Sequence, residues 1–280
     1  MSNTNLSERI AVCSWSLQPT SPAELAAKLS TIGVPRVQLA FDPVRKGGEW
    51  ADGVAKLADL GVGVVSGMFE AVGEDYSTLE SIKETGGVVP DRTWPDTFSN
   101  FKQMVAMAQK AGLDHVTFHA GFLPHDQKDP DYKKLAGRLT EVANLFADHG
   151  LTCCLETGQE KAADLRTFLQ GLGRPNVGVN FDPANLILYG NGDPIAGLKT
   201  LLPHVVSCHI KDATATKTPG TWGTEVVVGA GEVDWNAFFA TINQGGFKGS
   251  LALEREAGDQ RVADLKTAYE VVQPFTRSAQ

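Results

Sequence analysis

The chain has 280 residues, 42% hydrophobic and 21% charged, with a formal net charge of −8. That acidic balance, with no basic run longer than two residues, argues against a nucleic-acid partner, whose phosphates are met by clustered Lys and Arg. No apolar run approaches the roughly 20 residues of a membrane helix, and the polar opening MSNTNLSERI lacks the apolar centre of a secretion signal, so a cytoplasmic protein is expected.

In chain order, apolar strands alternate with amphipathic helices. The first strand is Ile10 to Trp15, followed by a helix from Pro22 to Ile32, with Ser21 as its N-cap and Glu24 completing a capping box. The second strand is Arg36 to Leu39, with a helix near Trp50 to Leu60. The third is Gly63 to Met68, then a long loop from Glu70 to Pro95 and a helix from Asp96 to Ala111 stopped by Gly112. The fourth is His115 to His119, with a helix from Asp131 to His149 stopped by Gly150. The fifth is Leu151 to Glu156, with a helix from Lys161 to Leu172; the sixth is Val177 to Asp182, with a helix from Pro194 to Leu201. The seventh is Val205 to Ile210, followed by a long loop from Lys211 to Gly231 that holds a β-like stretch, Glu225 to Val228. Asp234 then caps a helix to Gln244, and the eighth strand, Gly249 to Glu254, precedes a helix from Gln260 to Val272. Eight such units at this length predict a single (β/α)8 TIM barrel spanning 1–280 rather than an open sheet. There is no GxGxxG after the first strand and no GxxxxGK[ST]. Cys13, Cys153, Cys154 and Cys208 all fall in predicted strands without CxxC spacing, which fits reduced buried thiols.

Four strand ends carry a chemical pattern. Glu156 in TCCLETG, Asp182 in VGVNFDPAN, His209 in VVSCHIKDA and Glu254 in GSLALERE end the last four predicted strands. C-terminal strand ends of a barrel converge on one mouth. Three carboxylates and an imidazole there are a ligand set for one divalent metal ion, Mn²⁺, Co²⁺, Mg²⁺ or Zn²⁺. Each residue alone has a plainer role, as a helix cap, a solvated charge or a core histidine. Four at adjacent ends would repel one another without a cation.

The ordered series TCCLETG, NFDPANLILYG, CHIKDA, WGTEVVVGAGEVDW and LALERE resembles the xylose isomerase-like barrel superfamily, in particular its sugar phosphate isomerase/epimerase group. Ketose 3-epimerases, hydroxypyruvate isomerases, inosose dehydratases and endonuclease IV share that architecture. The resemblance implies that Glu156, Asp182, His209 and Glu254 bind the metal. It further implies that Glu156 and Glu254 form the acid/base pair of a sugar isomerase or epimerase working through an enediolate. A lyase or dehydratase acting on a keto-sugar or keto-glycoside is the alternative with the same machinery; a sugar-binding protein without turnover is a third reading. Asn185 stands where ketose 3-epimerases carry a substrate histidine, and Ala215 where they carry an arginine. Endonuclease IV uses further histidines; only His119 resembles one, with Met68 and Asn185 in place of others.

The expected substrate is a small neutral sugar, since no glycine-rich phosphate cradle is present. His119, Lys211, Trp15, Gln38 and Asn185 are the candidate substrate residues. His119 contacts a sugar hydroxyl or a barrel neighbour. Trp15 stacks on a sugar or lines the barrel. Lys211 meets a substrate oxygen or pairs with Asp212 or Glu156. Gln38 offers an amide to a neutral group. Arg255 is expected to face away from the site, and Trp222 to help close it. Barrel enzymes of this size often pair, so a homo-oligomer is a further expectation.

Overall fold

The computed structural model describes residues 6–218 and 220–276. Its strands are Ile10–Cys13 (β1), Arg36–Ala40 (β2), Gly63–Met68 (β3), His115–Phe118 (β4), Thr152–Glu156 (β5), Val177–Phe181 (β6), Val205–Ile210 (β7), Asp212–Thr214 (β8), Thr224–Val226 (β9) and Leu251–Leu253 (β10). The helices are Pro22–Ile32 (α1), Phe41–Lys46 (α2), Gly53–Asp59 (α3), Leu79–Thr85 (α4), Trp94–Lys110 (α5), Pro130–Asp148 (α6), Ala162–Leu172 (α7), Pro183–Leu188 (α8), Pro194–Leu201 (α9), Trp235–Gln244 (α10) and Arg261–Thr276 (α11). Strands β1, β10, β7, β6, β5, β4, β3 and β2 pair in that order, all parallel, and close into the (β/α)8 barrel. No helix among the described residues is long and apolar enough to cross a membrane.

Several boundaries differ from the sequence reading, each for a local reason. The first strand stops at Cys13 because Ser14–Leu17 turn into a 3-10 helix. Ser14 Oγ accepts from Ala40 N at 2.8 Å and Ser16 Oγ from Arg255 N at 3.0 Å, which tie that turn to the neighbouring strand ends. The helix expected from Trp50 to Leu60 is the shorter α3; ahead of it lie an unexpected helix, α2, and a 3-10 turn, separated at Gly47 and Gly48, whose φ values of 80° and 63° are left-handed. The long loop after β3 contains α4, started by a Thr78–Ser81 capping box. At α1, Ser21 caps Glu24 N as expected, but the Glu24 carboxylate bonds to Thr20 rather than closing the box. The β-like stretch after β7 is one arm of an antiparallel hairpin, β8 with β9.

Apolar side chains fill the space between barrel and helices. Phe69 alone meets Phe41, Phe101 and Phe146 at ring separations of 5.7, 5.6 and 5.9 Å. Inside the barrel the residues are small or polar: Ala11, Ser66, Thr117, Cys154, Asn180, Ser207 and Ala252 are at most 2% exposed. Side chains of a strand alternate with period two. The next inward residue after Cys154, Asn180, Ser207 and Ala252 is therefore Glu156, Asp182, His209 and Glu254. The four free cysteines are all buried.

Asp212 anchors the β7 insertion. Fully buried, it accepts from the backbone N of Ala213, Gly229, Gly231 and Val233 and from Trp235 Nε1, at 2.9–3.3 Å. Asp212→Ala removes one charged acceptor from five donors. It is expected to lower unfolding free energy by about 3 kcal/mol or more, read from the shift of the urea midpoint.

Candidate active site

Glu156 ends β5, Asp182 follows β6, His209 lies near the end of β7 and Glu254 follows β10; these strands are consecutive around the barrel. The four side chains are 6%, 0%, 0% and 3% exposed. One ligand atom from each lies within 4.8 Å of all the others. Bonds of about 2.0–2.2 Å from one ion to N and O ligands would space those ligands by up to about 4.4 Å, so the set could close on a single divalent ion with side-chain shifts of a few tenths of an ångström.

Asp182, His209 and Glu254 each split their polar atoms between protein and site. Asp182 Oδ1 caps α8, accepting from Ala184 N at 2.8 Å and Asn185 N at 3.2 Å, which leaves Oδ2 free. Glu254 Oε1 accepts from Trp15 Nε1 at 2.7 Å, leaving Oε2 without a hydrogen bond. Gln38 Nε2 donates to Thr117 Oγ1 at 3.1 Å, which turns its Oε1 toward His209 Nε2 at 2.8 Å. His209 therefore keeps a proton on Nε2, and its buried Nδ1 has no hydrogen-bond partner. That Nδ1 lies 3.2 Å from Glu156 Oε1, 3.1 Å from Glu254 Oε2 and 3.8 Å from Asp182 Oδ2. Three buried donor atoms without hydrogen bonds, Asp182 Oδ2, His209 Nδ1 and Glu254 Oε2, face one point, a set that could hold a metal ion. Cys13, His209 and Glu254 also cluster, but burial pushes the Cys13 thiol up to about 12, so it offers no thiolate.

The electrostatics follow from crowding. Burial works against a charged His209, yet the Glu254 and Glu156 carboxylates outweigh it and raise its pKa well above the ordinary value. Burial likewise opposes ionisation of Glu156, but His209 and His119 hold its carboxyl well below the usual range. Lys211 is buried, which disfavours its charge, and the Glu254, Glu256 and Asp182 carboxylates hold its pKa far up.

The other predicted residues divide. His119 Nε2 sits 3.4 Å from Glu156 Oε2 while its Nδ1 meets Tyr76 OH at 2.8 Å, and the ring also faces the cavity. Lys211 Nζ points inward, 2.6 Å from Glu256, 3.2 Å from Glu254 and 3.8 Å from Asp182, so among the described residues it pairs with these rather than with Asp212 or Glu156. Asn185 Nδ2 donates to Glu156 Oε1 at 3.1 Å and to Thr157 O at 2.9 Å, so its amide steadies Glu156. Trp15 lines the mouth, but from a 3-10 turn rather than a strand end. Gln38 is displaced from the expectation: 1% exposed and committed to Thr117 and His209, it lies beneath the ligands and does not reach the cavity. Its strand and face were legible; its depth was not. Arg255 faces away, onto Glu225 and Asp264, as expected. Trp222 packs on Tyr189 with ring centroids 4.7 Å apart at the cavity wall. Tyr76, Tyr189, Trp50 and Glu74 also line the cavity and were missed, because they sit on loops and short helices with no periodicity to mark them.

A family described as xylose isomerase-like TIM barrel matches residues 26–275. The crystal structure of a xylose isomerase domain protein from Planctomyces limnophilus is 32% identical, covers 95% of this chain and 96% of its own, and superposes with a TM-score of 0.84. The 3-keto-D-glucoside 4-epimerase YcjR from E. coli, in its apo form, is 12% identical over 95% of this chain and 99% of its own, with a TM-score of 0.73, a likeness of fold alone. The uncharacterized protein YihM of Escherichia coli (strain K12) is 30% identical over 146 residues, 51% of this chain; the match spans 44% of that protein's length.

Glu160 lies beside the site in a side chamber of about 40 Å³ walled partly by Leu123, Leu135, Leu165 and Phe168, and burial pushes its carboxyl up to about 7 from 4.5. A carboxyl raised on folding contributes full stability below pH 4.5, loses it as pH climbs to about 7, and stays at the lower level above. Glu160→Gln is therefore expected to change little near pH 4.5 and to stabilise at pH 8 by on the order of 3 kcal/mol. Urea unfolding at the two pH values measures the difference.

Proposed function

Because the chain belongs to the xylose isomerase-like TIM barrel family, we propose that it is a divalent-metal-dependent sugar isomerase or epimerase with Glu156 and Glu254 as its acid/base pair. The observation that carries this is the matched disposition of the two glutamates. Each points one oxygen at the shared point, and each has its other oxygen engaged from a different side of the mouth, by His119 just past β4 for Glu156 and by Trp15 in the 3-10 turn after β1 for Glu254. Bound at that point, a divalent ion would polarise a substrate carbonyl and its neighbouring hydroxyl, acidifying the C–H between them.

The protein's own groups account for the rest. One glutamate removes the proton and the other returns it to the opposite face of the enediolate. The Trp15 N–H aims Glu254, and Asn185 and His119 aim Glu156. Lys211, 3.2 Å from Glu254 Oε2, brings positive charge to where negative charge develops on a substrate oxygen. Asp182 and His209 would hold the ion and move no proton. Mn²⁺, Co²⁺, Mg²⁺ and Zn²⁺ all suit this oxygen–nitrogen set, and buried reduced cysteines suit a cytoplasmic setting.

Two measurements test the reading. Mn²⁺ at a hundredfold its Kd is expected to raise unfolding free energy by about 2.7 kcal/mol; Asp182→Asn, which keeps the helix cap but weakens a ligand, should abolish most of that gain. Protein that gains nothing from any of the four ions would sink the metal site. In D₂O, a panel of ketoses, aldoses and 3-keto-glycosides should show loss of one carbon-bound proton by NMR without loss of a group. Chelator should stop it, and Glu156→Gln or Glu254→Gln should slow it by about 10²–10⁴-fold. Release of water or an aglycone would instead establish the lyase, and no change in any sugar would discard the enzyme reading.

A further inference from the structure

The cavity above the four ligands holds about 860 Å³. A hexose displaces on the order of six water molecules, or roughly 200 Å³ at ~30 Å³ each. One sugar ring at the glutamates therefore leaves most of the space unfilled. The excess has a definite place. The ligands come from β5, β6, β7 and β10, whereas the cavity continues across the mouth over the ends of β1, β2 and β3. Its wall there includes Pro19, Pro43, Trp50 and Met68, an apolar surface suited to the C–H face of a ring.

Around that surface stand polar groups that the rest of the fold does not use. The Lys46 and Glu70 side chains line the lobe, and neither has a hydrogen bond or ion pair among the described residues. Gln18 stands at the rim with φ 46° and ψ 49°. This left-handed conformation is free to glycine but costs other residues roughly 1–2 kcal/mol. The same turn that places Trp15 on Glu254 thus ends in a strained residue whose amide lies open at the lobe and has no partner among the described residues. Charge narrows the ligand further: the cavity walls carry seven carboxylates against two lysines, a balance that a divalent ion does not reverse.

The geometry points to an uncharged substrate of two linked rings: a reacting sugar at Glu156 and Glu254, and a glycosidically attached second sugar ring seated between Trp50 and Gln18. This rests on the sugar reading proposed above. The second ring lays its apolar face on Pro19, Pro43 and Trp50 and offers its hydroxyls to Gln18, Lys46 and Glu70. Phosphorylated sugars are disfavoured by the acidic wall.

Non-reacting polyols separate binding from turnover. Calorimetric titration of Mn²⁺-loaded protein with sorbitol, with maltitol (a glucosyl-sorbitol) and with sorbitol 6-phosphate should give maltitol at least about tenfold tighter than sorbitol, and the phosphate no tighter than sorbitol. Gln18→Gly, which keeps the backbone turn and removes the amide, should cut the maltitol advantage roughly threefold. Equal affinity for sorbitol and maltitol, tighter binding of the phosphate, or an unchanged advantage in Gln18→Gly would overturn the inference. If ketoses exchange deuterium while maltitol has no advantage, only the second ring is lost. If no polyol binds and no sugar exchanges, the sugar reading fails and this inference with it.

Discussion

Three carboxylates and one imidazole are packed into a space 4.8 Å across, with no side chain more than 6% exposed. Buried like charges at such separations are mutually unfavourable unless a cation sits among them. Lys211 brings one positive charge to the edge of the cluster and shares it with Glu256. The rest of the mouth is arranged around this concentration of negative charge. Trp15 and the first turn of α8 each engage one oxygen of Glu254 and Asp182 and leave the other facing the centre, while Asn185 and His119 hold the two oxygens of Glu156. Below them, the Thr117–Gln38–His209 chain holds the imidazole by Nε2 and turns Nδ1 to the centre.

The same packing logic separates residues that are neighbours in the chain. Lys211 and Asp212 adjoin, yet one points into the cluster and the other is enclosed by the turn of the β8–β9 insertion. Glu254 and Arg255 divide likewise: Glu254 faces the centre, while Arg255 joins β9 to α11 through Glu225 and Asp264. Function and scaffold therefore alternate residue by residue, which is the period of the strand carried past its end. The site is stiff on this side, where hydrogen bonds tie every ligand to its neighbours. It is open on the side of β1–β3, where Gln18, Lys46 and Glu70 have no such partners.

Much of this was legible in the chain. Strands of a parallel barrel read as short apolar runs, and ending each on its last apolar residue put Glu156, Asp182, His209 and Glu254 on successive strands. Period-two alternation also separated Arg255 from Glu254 and aligned Lys211 with His209. What stayed hidden has a common cause. Helices of one or two turns, such as α2, α4 and α8, are too short to show a 3.6-residue pattern. Tyr76 and Trp50 reach the mouth from segments whose path depends on closure of the whole barrel. Gln38 was placed on the right strand and the wrong level, because alternation tells which face a residue takes and not how deep it lies.

The chain by itself determined the eight-unit order, the polar strand ends and the kind of ion those ends suit, because these depend on residue type and local spacing. Only the tertiary structure decided which atom of each ligand is free, which partner holds the other, and how much room remains for a substrate. Those depend on distances between segments far apart in the chain. The pairing of Gln38 with His209, or of Trp15 with Glu254, exists only once β1 has closed on β10.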